Sequence, residues 1–363
     1  MSEWKTQKLG EVCKIEKKKY NGSNLAYVGM EDIESNTGRF LGSKIPKSVK
    51  SSTFKFTSEH ILYGRLRPYL NKVMLPDFEG HCSSEIFPIK VSKELDRSFL
   101  FYWLTQKKII LKIDETCTGT RMPRANMEKV LNFSLVIPPI EEQKRIVEIL
   151  DKAFEGIAQA EDNTRRNLTN ARELFDSYLN QVFTKHDQNW TQEPLGKVCT
   201  LQRGYDLPQR LRVEGKFPLV SSSGIIDSHQ EAKVKAPGVV TGRSGSIGSL
   251  FYVKENFWPL NTVLYVKDFH ENDPEFIFYL LKHFNLGKYA SGTGVPTLNR
   301  NHVHSVLVKK PIFIEEQKNL VKSLNKLQEY QKRLETIYQR KLEAIAELKQ
   351  SILEKAFTGQ LSQ

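Results

Sequence analysis

The chain has 363 residues, 39% of them hydrophobic and 26% charged, with a net charge of +12. That length supports two domains with cores of their own, and no apolar run approaches the roughly 18 residues that span a bilayer. Cys13, Cys82, Cys117 and Cys199 stand far apart with no Cys-x-x-Cys pair, which argues against a disulfide framework and a structural zinc site. The opening "MSEWKTQKLGEVC" lacks the apolar centre of a secretion signal, so a reducing cytoplasm is the expected setting, with no membrane partner.

Residues 1–140 form a first globular block. Its cationic loops are "KKKYNGS" (Lys17–Ser23), "YGRLRPYLNK" (Tyr63–Lys72) and "GTRMPRAN" (Gly119–Asn126). "EIFPIKV" from Glu85 alternates as a strand, and "SFLFYWLTQKK" from Ser98 has the period of one helix. "PPIEEQKRIVEIL" then opens a long helical segment, 141–184, with prolines before it and two glutamates in its first turn. A second block, 185–314, holds a strand, glycine-rich turn and strand in "APGVVTGRSGSIGSLFYV", another strand in "NTVLYVKD" and a helix in "PEFIFYLLKHF". The chain closes with a second long helix inside 315–363, announced by "PIFIEEQKNL". The "FLFYWL" and "FIFYLL" runs are expected as core faces of helices.

The chain is written twice. Trp4 with "KLGEVC" returns as Trp190 with "PLGKVC", "FLFYWL" as "FIFYLL", and "TGTRMPRAN" as "SGTGVPTLN". Offsets drift through the blocks, yet Glu141 and Glu315 are 174 apart, and so are Leu174 and Leu348. Blocks varied in length while the long segments did not. Heptad steps give the seams Leu150, Ile157, Thr164, Ala171, Tyr178 and Ile146, Ala153, Ala160, Asn167, Leu174. The second copy gives Leu324, Gln331, Tyr338, Ile345, Ile352 and Leu320, Leu327, Leu334, Lys341, Leu348. An antiparallel coiled coil of two rods roughly 65 Å long is the expected frame, with a mixed α+β block at each end.

The positive charge sits in the blocks: +8 before Glu141 and +5 over 185–314, against −3 and +2 in the two long segments. Two basic blocks on a fixed spacer suit a polyanion read at two places.

The order of these words, their duplication and the constant helix length resemble the specificity subunit of type I restriction–modification systems over nearly the whole chain. The resemblance implies a non-catalytic protein with two target recognition domains, each reading one half of a split double-stranded DNA site. It implies that the paired helices set the gap and dock two methyltransferase subunits, and that ATP-driven restriction subunits can join. S-adenosylmethionine and ATP would belong to those partners, with no cofactor or metal in this chain. Candidate DNA contacts are Lys17, Lys18, Lys19, Arg65, Arg67, Lys72, Arg121 and Arg124 in the first block. In the second they are Arg203, Tyr205, Arg210, Ser221, Ser222, Ser223, Arg243, Ser244, Thr297 and Arg300.

The residues bear on four other readings. "TGRSGSIG" lacks the Lys-Ser/Thr of a Walker A loop and reads as a hairpin turn. His302 and His304 would share one strand face but have no evident third ligand. A stand-alone DNA-modifying enzyme is disfavoured: Glu85 lacks the lysine two positions on, and "IPPI" is not an adenine-methyltransferase word. A coiled-coil scaffold whose ends bind proteins remains the main alternative, separable by salt-dependent DNA binding.

Overall fold

The structure is a computed structural model that describes residues 4–184, 189–292 and 296–361. It divides into two compact units, Met1–Thr164 with Arg340–Gln363, and Arg165–Gln339. Each unit therefore takes part of both long helices, which cuts across the linear division of the sequence.

The first unit centres on a four-stranded antiparallel sheet ordered Cys13–Ile15, Ile86–Val91, His60–Gly64, Val73–Met74. The second repeats it in the same order with Thr200–Arg203, Val263–Asp268, Gly238–Gly242 and Leu250–Val253. A second sheet accompanies each, of four strands in the first unit and three in the second, and each contains one parallel pair. The chain enters each block on a two-stranded ribbon, Lys5–Lys8 against Ser134–Ile137 and Trp190–Pro194 against Leu307–Pro311.

"PEFIFYLLKHF" forms one helix, Pro274–Phe284. Its counterpart does not run on as the sequence period suggests. It breaks into Arg97–Leu104 and Lys107–Asp114, because Thr105 turns its hydroxyl onto the Tyr102 carbonyl (2.9 Å) and Gln106 is extended. The aromatic runs are core as expected, with Phe99, Trp103, Phe276 and Tyr279 buried.

The long helices span Ile140–Thr184 and Ile314–Phe357. In the first unit Ile146 and Leu150 share a core with Leu353 and Ala356; in the second, Phe175 and Leu179 share one with Val321 and Leu324. In the first unit the helices run in opposite directions: Arg145 reaches the Leu361 carbonyl (3.5 Å), whereas Phe154, further along, lies under the Lys349 ammonium. One seam of the first helix is buried as far as Ala171, through Leu150, Ile157, Thr164 and Ala171, with Tyr178 half-buried; Thr164 satisfies its hydroxyl on the Ala160 carbonyl (2.6 Å).

The other seam departs from expectation. Asn167, Leu174, Lys341 and Leu348 are exposed. Burial passes instead to Leu168, Phe175 and Val182 in one helix and to Leu342, Lys349 and Ala356 in the other. A straight helix has 3.6 residues per turn, so a strict seven-residue step drifts, and a four-residue step in place of three resets the phase. Both helices make that step at equivalent places, Thr164 to Leu168 and Tyr338 to Leu342.

The repeated Glu-Glu-Gln-Lys has a shared structural job. Gln143 is fully buried; its Oε1 accepts the Asp96 amide (2.7 Å) and its Nε2 donates to the Glu94 and Pro138 carbonyls (2.8 Å each). Gln317 accepts the Asp273 amide (2.9 Å) and donates to Asn272 Oδ1 (2.8 Å) and the Pro311 carbonyl (3.3 Å). Asp96 and Asp273 in turn cap the aromatic helices, accepting from Phe99 and Phe276. Each glutamine thus bolts a long helix to the cap of a block helix. The flanking charges are surface dressing: Lys144–Glu141 and Lys318–Glu315 are exposed i,i+3 pairs that solvent screens. A second tie repeats nearby: the Tyr102 hydroxyl donates to Asp151 of the first long helix and Tyr279 to Asn325 of the second.

Candidate nucleic-acid interface

In the second unit an open cleft of about 600 Å³ is lined by Gln202, Arg203, Arg243, Thr297, Asn299 and Arg300. Four sequence candidates meet here: Arg203, Arg243, Thr297 and Arg300. Strand Gly238–Gly242 ends at Arg243, whose amide donates to the Thr262 carbonyl (2.9 Å) while its carbonyl accepts from Leu298 (2.8 Å). Ser244 bridges to Thr297, which closes the loop over the strand end. The Arg203 guanidinium reaches Asp206 (3.0 Å), and Arg243 touches only the Asn261 carbonyl (3.5 Å) among the described residues.

"TGRSGSIG" is a turn between strands. Gly242 donates to Ser249 (2.9 Å), and Gly245 and Gly248 take the left-handed φ values of +80° and +79° that side chains resist. Next to it is the serine hairpin: Ser249 Oγ donates to the Ser222 carbonyl (2.6 Å). Ser221 is buried, its hydroxyl held by Ser223 and the Gly224 carbonyl, so it shapes the hairpin; Ser223 is exposed and Ser222 half-buried. Tyr205 bonds the Tyr265 hydroxyl (3.0 Å), and Arg210 is exposed on a short 3-10 turn outside the cleft lining.

The first unit builds the same corner from different words. Strand His60–Gly64 ends at Arg65, whose amide donates to the Glu85 carbonyl (2.9 Å) and whose carbonyl accepts from Ala125 (2.9 Å). Arg65 and Arg243 therefore hold one position in the two copies, as do Glu85 and Thr262, and Ala125 and Leu298. Asn126 and Asn299, the next residues, both cap short helices, Met127–Leu131 and Arg300–His304. Both arginines are sequence candidates, and the Gly-Arg that follows an apolar strand in each copy is the signal that pairs them.

The side chains differ. Arg124 sets Nε on both Glu85 oxygens (2.9 and 3.1 Å) and Nη2 on Oε1 (2.8 Å), and Arg65 sets Nε on Oε2 (3.1 Å). Burial alone would raise the Glu85 pKa; the Arg124 and Arg65 charges outweigh it and hold the carboxyl below its ordinary value. Arg65 also lies 4.9 Å over the Phe87 ring, and Lys17 lies 4.3 Å over the same ring. Lys18, Lys19, Arg67 and Arg121 are exposed, with Arg67 at φ +50°. Lys72 is turned inward onto the Met30 carbonyl (2.6 Å). Residues 293–295 of "SGTGVPTLN" lie outside the described residues.

His302 and His304 are not on a strand. They lie two apart on helix Arg300–His304, which sends them to different sides. His304 is structural: its Nε2 accepts the Leu201 amide (2.9 Å), and burial, then the Arg300 charge, lowers its pKa. Among the described residues no three metal-ligating side chains cluster, and no helix is long and apolar enough to cross a membrane.

Residues 1–169 and 187–344 each match the model of the type I restriction modification DNA specificity domain. The chain belongs to that family. The EcoDI type I specificity subunit of Escherichia coli is 28% identical over 162 residues, an alignment covering 44% of this chain and 36% of that subunit. A putative type I specificity subunit of Mycoplasma pneumoniae is 21% identical over 89% of both chains. Among solved structures, one chain from work on assembly and conformational transition of the type I R-M system superposes with a TM-score of 0.85. It shares 20% identity, over 98% of this chain and 97% of that one. The HsdS subunit from Thermoanaerobacter tengcongensis gives a TM-score of 0.61 at the same identity and coverage. The fold is thus that of type I specificity subunits: two mixed domains in tandem with two long helices, in a DNA-specificity family.

Proposed function

We propose that this chain is the non-catalytic, DNA-reading subunit of a cytoplasmic methyltransferase complex. Residues 1–140 and 185–314 each read one half of a split duplex site. The observation that carries this is the arginine corner built twice: the same sheet order, the same strand end and the same loop closure around Arg65 and Arg243. A guanidinium on a rigid strand end can fork onto a guanine edge, and exposed neighbours such as Lys18, Arg121 and Arg300 suit phosphates. The long helices serve as spacer and as the docking frame for two methyltransferase subunits, which bring S-adenosylmethionine; ATP-driven restriction subunits join the same frame. Two half-sites need fixed spacing, and a helical rod supplies it where a flexible linker does not.

The test is a single-molecule methylation map of cells expressing this chain with its methyltransferase partner. One bipartite adenine-methylation motif is expected. Replacing residues 1–137 by another member's block should change one half of the motif and leave the other. A change in both halves refutes the assignment of one block to one half.

A further inference from the structure

We infer that Glu85 is a positioning residue for base reading: with Phe87 it fixes Arg65 so that the guanidinium's free end presents two donors to a guanine in the first half-site. The inference rests on the DNA reading proposed above and assigns it a named contact.

The geometry is specific. Arg124 commits its Nε and Nη2 edge to Glu85 and its Nη1 to the Met122 carbonyl (3.1 Å), so it acts as a clamp. Arg65 gives Glu85 only its Nε; Nη1 and Nη2 find no acceptor among the described residues. The Phe87 ring buttresses the guanidinium from one side, 4.9 Å from its Cζ, and the carboxylate holds its Nε. Two parallel N–H donors in a fixed plane match the O6 and N7 acceptors of guanine, which a phosphate-seeking flexible lysine would not require. A carboxylate is also a poor choice for a surface built only to grip phosphate, because it repels the polyanion; its presence between two arginines argues for selectivity over bulk affinity. The second unit lacks the device: Thr262 stands where Glu85 stands, and Leu264 pairs with Thr241 where Phe87 pairs with Tyr63. Arg243 is therefore held less firmly, and the two half-sites should differ in how strictly this position is read.

The experiment uses the full chain in complex with its methyltransferase partner, in a host without adenine methylation, read by genome-wide methylation mapping of wild type, Glu85→Gln and Arg65→Lys. Wild type should give one bipartite motif. Glu85→Gln should relax one guanine-containing position in one half, with discrimination there falling roughly 5- to 150-fold, the range for one bidentate base contact. The other half should be unchanged. Arg65→Lys, which keeps the charge and removes the fork, should relax the same position. If Glu85→Gln abolishes methylation altogether, Arg65→Lys decides. Relaxation at one base supports the inference; an unchanged motif or uniform loss overturns it by assigning Arg65 to phosphate or structure. A Glu85→Gln motif identical to wild type also overturns it. A wild-type complex that methylates no bipartite motif overturns the DNA reading itself.

Discussion

Replacing Gln143 by methionine removes hydrogen bonding while nearly keeping volume. Gln143 is fully buried, so the Asp96 amide and the Glu94 and Pro138 carbonyls lose their partner where water does not reach. One buried group left unsatisfied costs about 1–3 kcal/mol. The carbonyls keep a second lone pair, so the amide dominates, and a total of about 2 kcal/mol is expected, roughly 30-fold in the local opening equilibrium. Because the chain has two compact units, one global midpoint would blur the effect. Amide hydrogen exchange read by mass spectrometry localises it. Exchange should accelerate across Asp96–Leu104 and the first turns after Ile140, and stay unchanged around Asp273–Phe284. Gln317→Met should give the mirror result. Unaltered exchange at Asp96, or equal acceleration in both units, would refute the bolt.

Two further predictions concern the second unit. Burial and the Arg300 charge lower the His304 pKa, so the unfolded chain takes up that proton first. The His304 contribution to the second unit's stability should be fully present above the ordinary histidine value of 6.5 and be lost as pH falls from there through the folded value. Exchange measured at neutral and acid pH should show this slope, flattened in His304→Gln; an equal slope in both proteins would exclude His304 as its source. Arg203→Gln, Arg243→Gln and Arg300→Gln test the cleft by titration of a site-containing duplex over a salt series. Each guanidinium that meets a phosphate should take about 1 off the slope of log K against log salt, and three unchanged slopes would remove the cleft from the interface.

Much of this was legible in the sequence because duplication and apolar period are local signals. The long helices, the aromatic core faces and the seam through Thr164 all follow from spacing. What escaped needs partners far along the chain. Gln143 bonds residues 47 and 49 positions away, and nothing in Glu-Glu-Gln-Lys distinguishes a buried amide from an exposed one. The Arg65–Glu85–Arg124 fork spans 20 and 39 positions. In the sequence Glu85 stands out only as the acid of an incomplete nuclease pattern. The helix break at Thr105 was hidden by a continuous apolar period on both sides. The seam step has a local signal, since Leu168 and Leu342 are leucines at the constant offset of 174 and lie one residue past the strict heptad positions Asn167 and Lys341.

That shared step constrains how such a chain can lose or gain residues. Each residue added to a helix turns everything beyond it by about 100°, so a single insertion would carry Phe175 or Ala356 out of its core. Only changes of three, four or seven residues return the apolar face near its old bearing. Because both helices contribute to each unit's core, a change in one must be answered by an equal change in the other to keep the partners level. Insertions in the blocks meet no such bookkeeping. The offsets between the two copies record the difference: they drift freely through the blocks and lock at 174 along the helices.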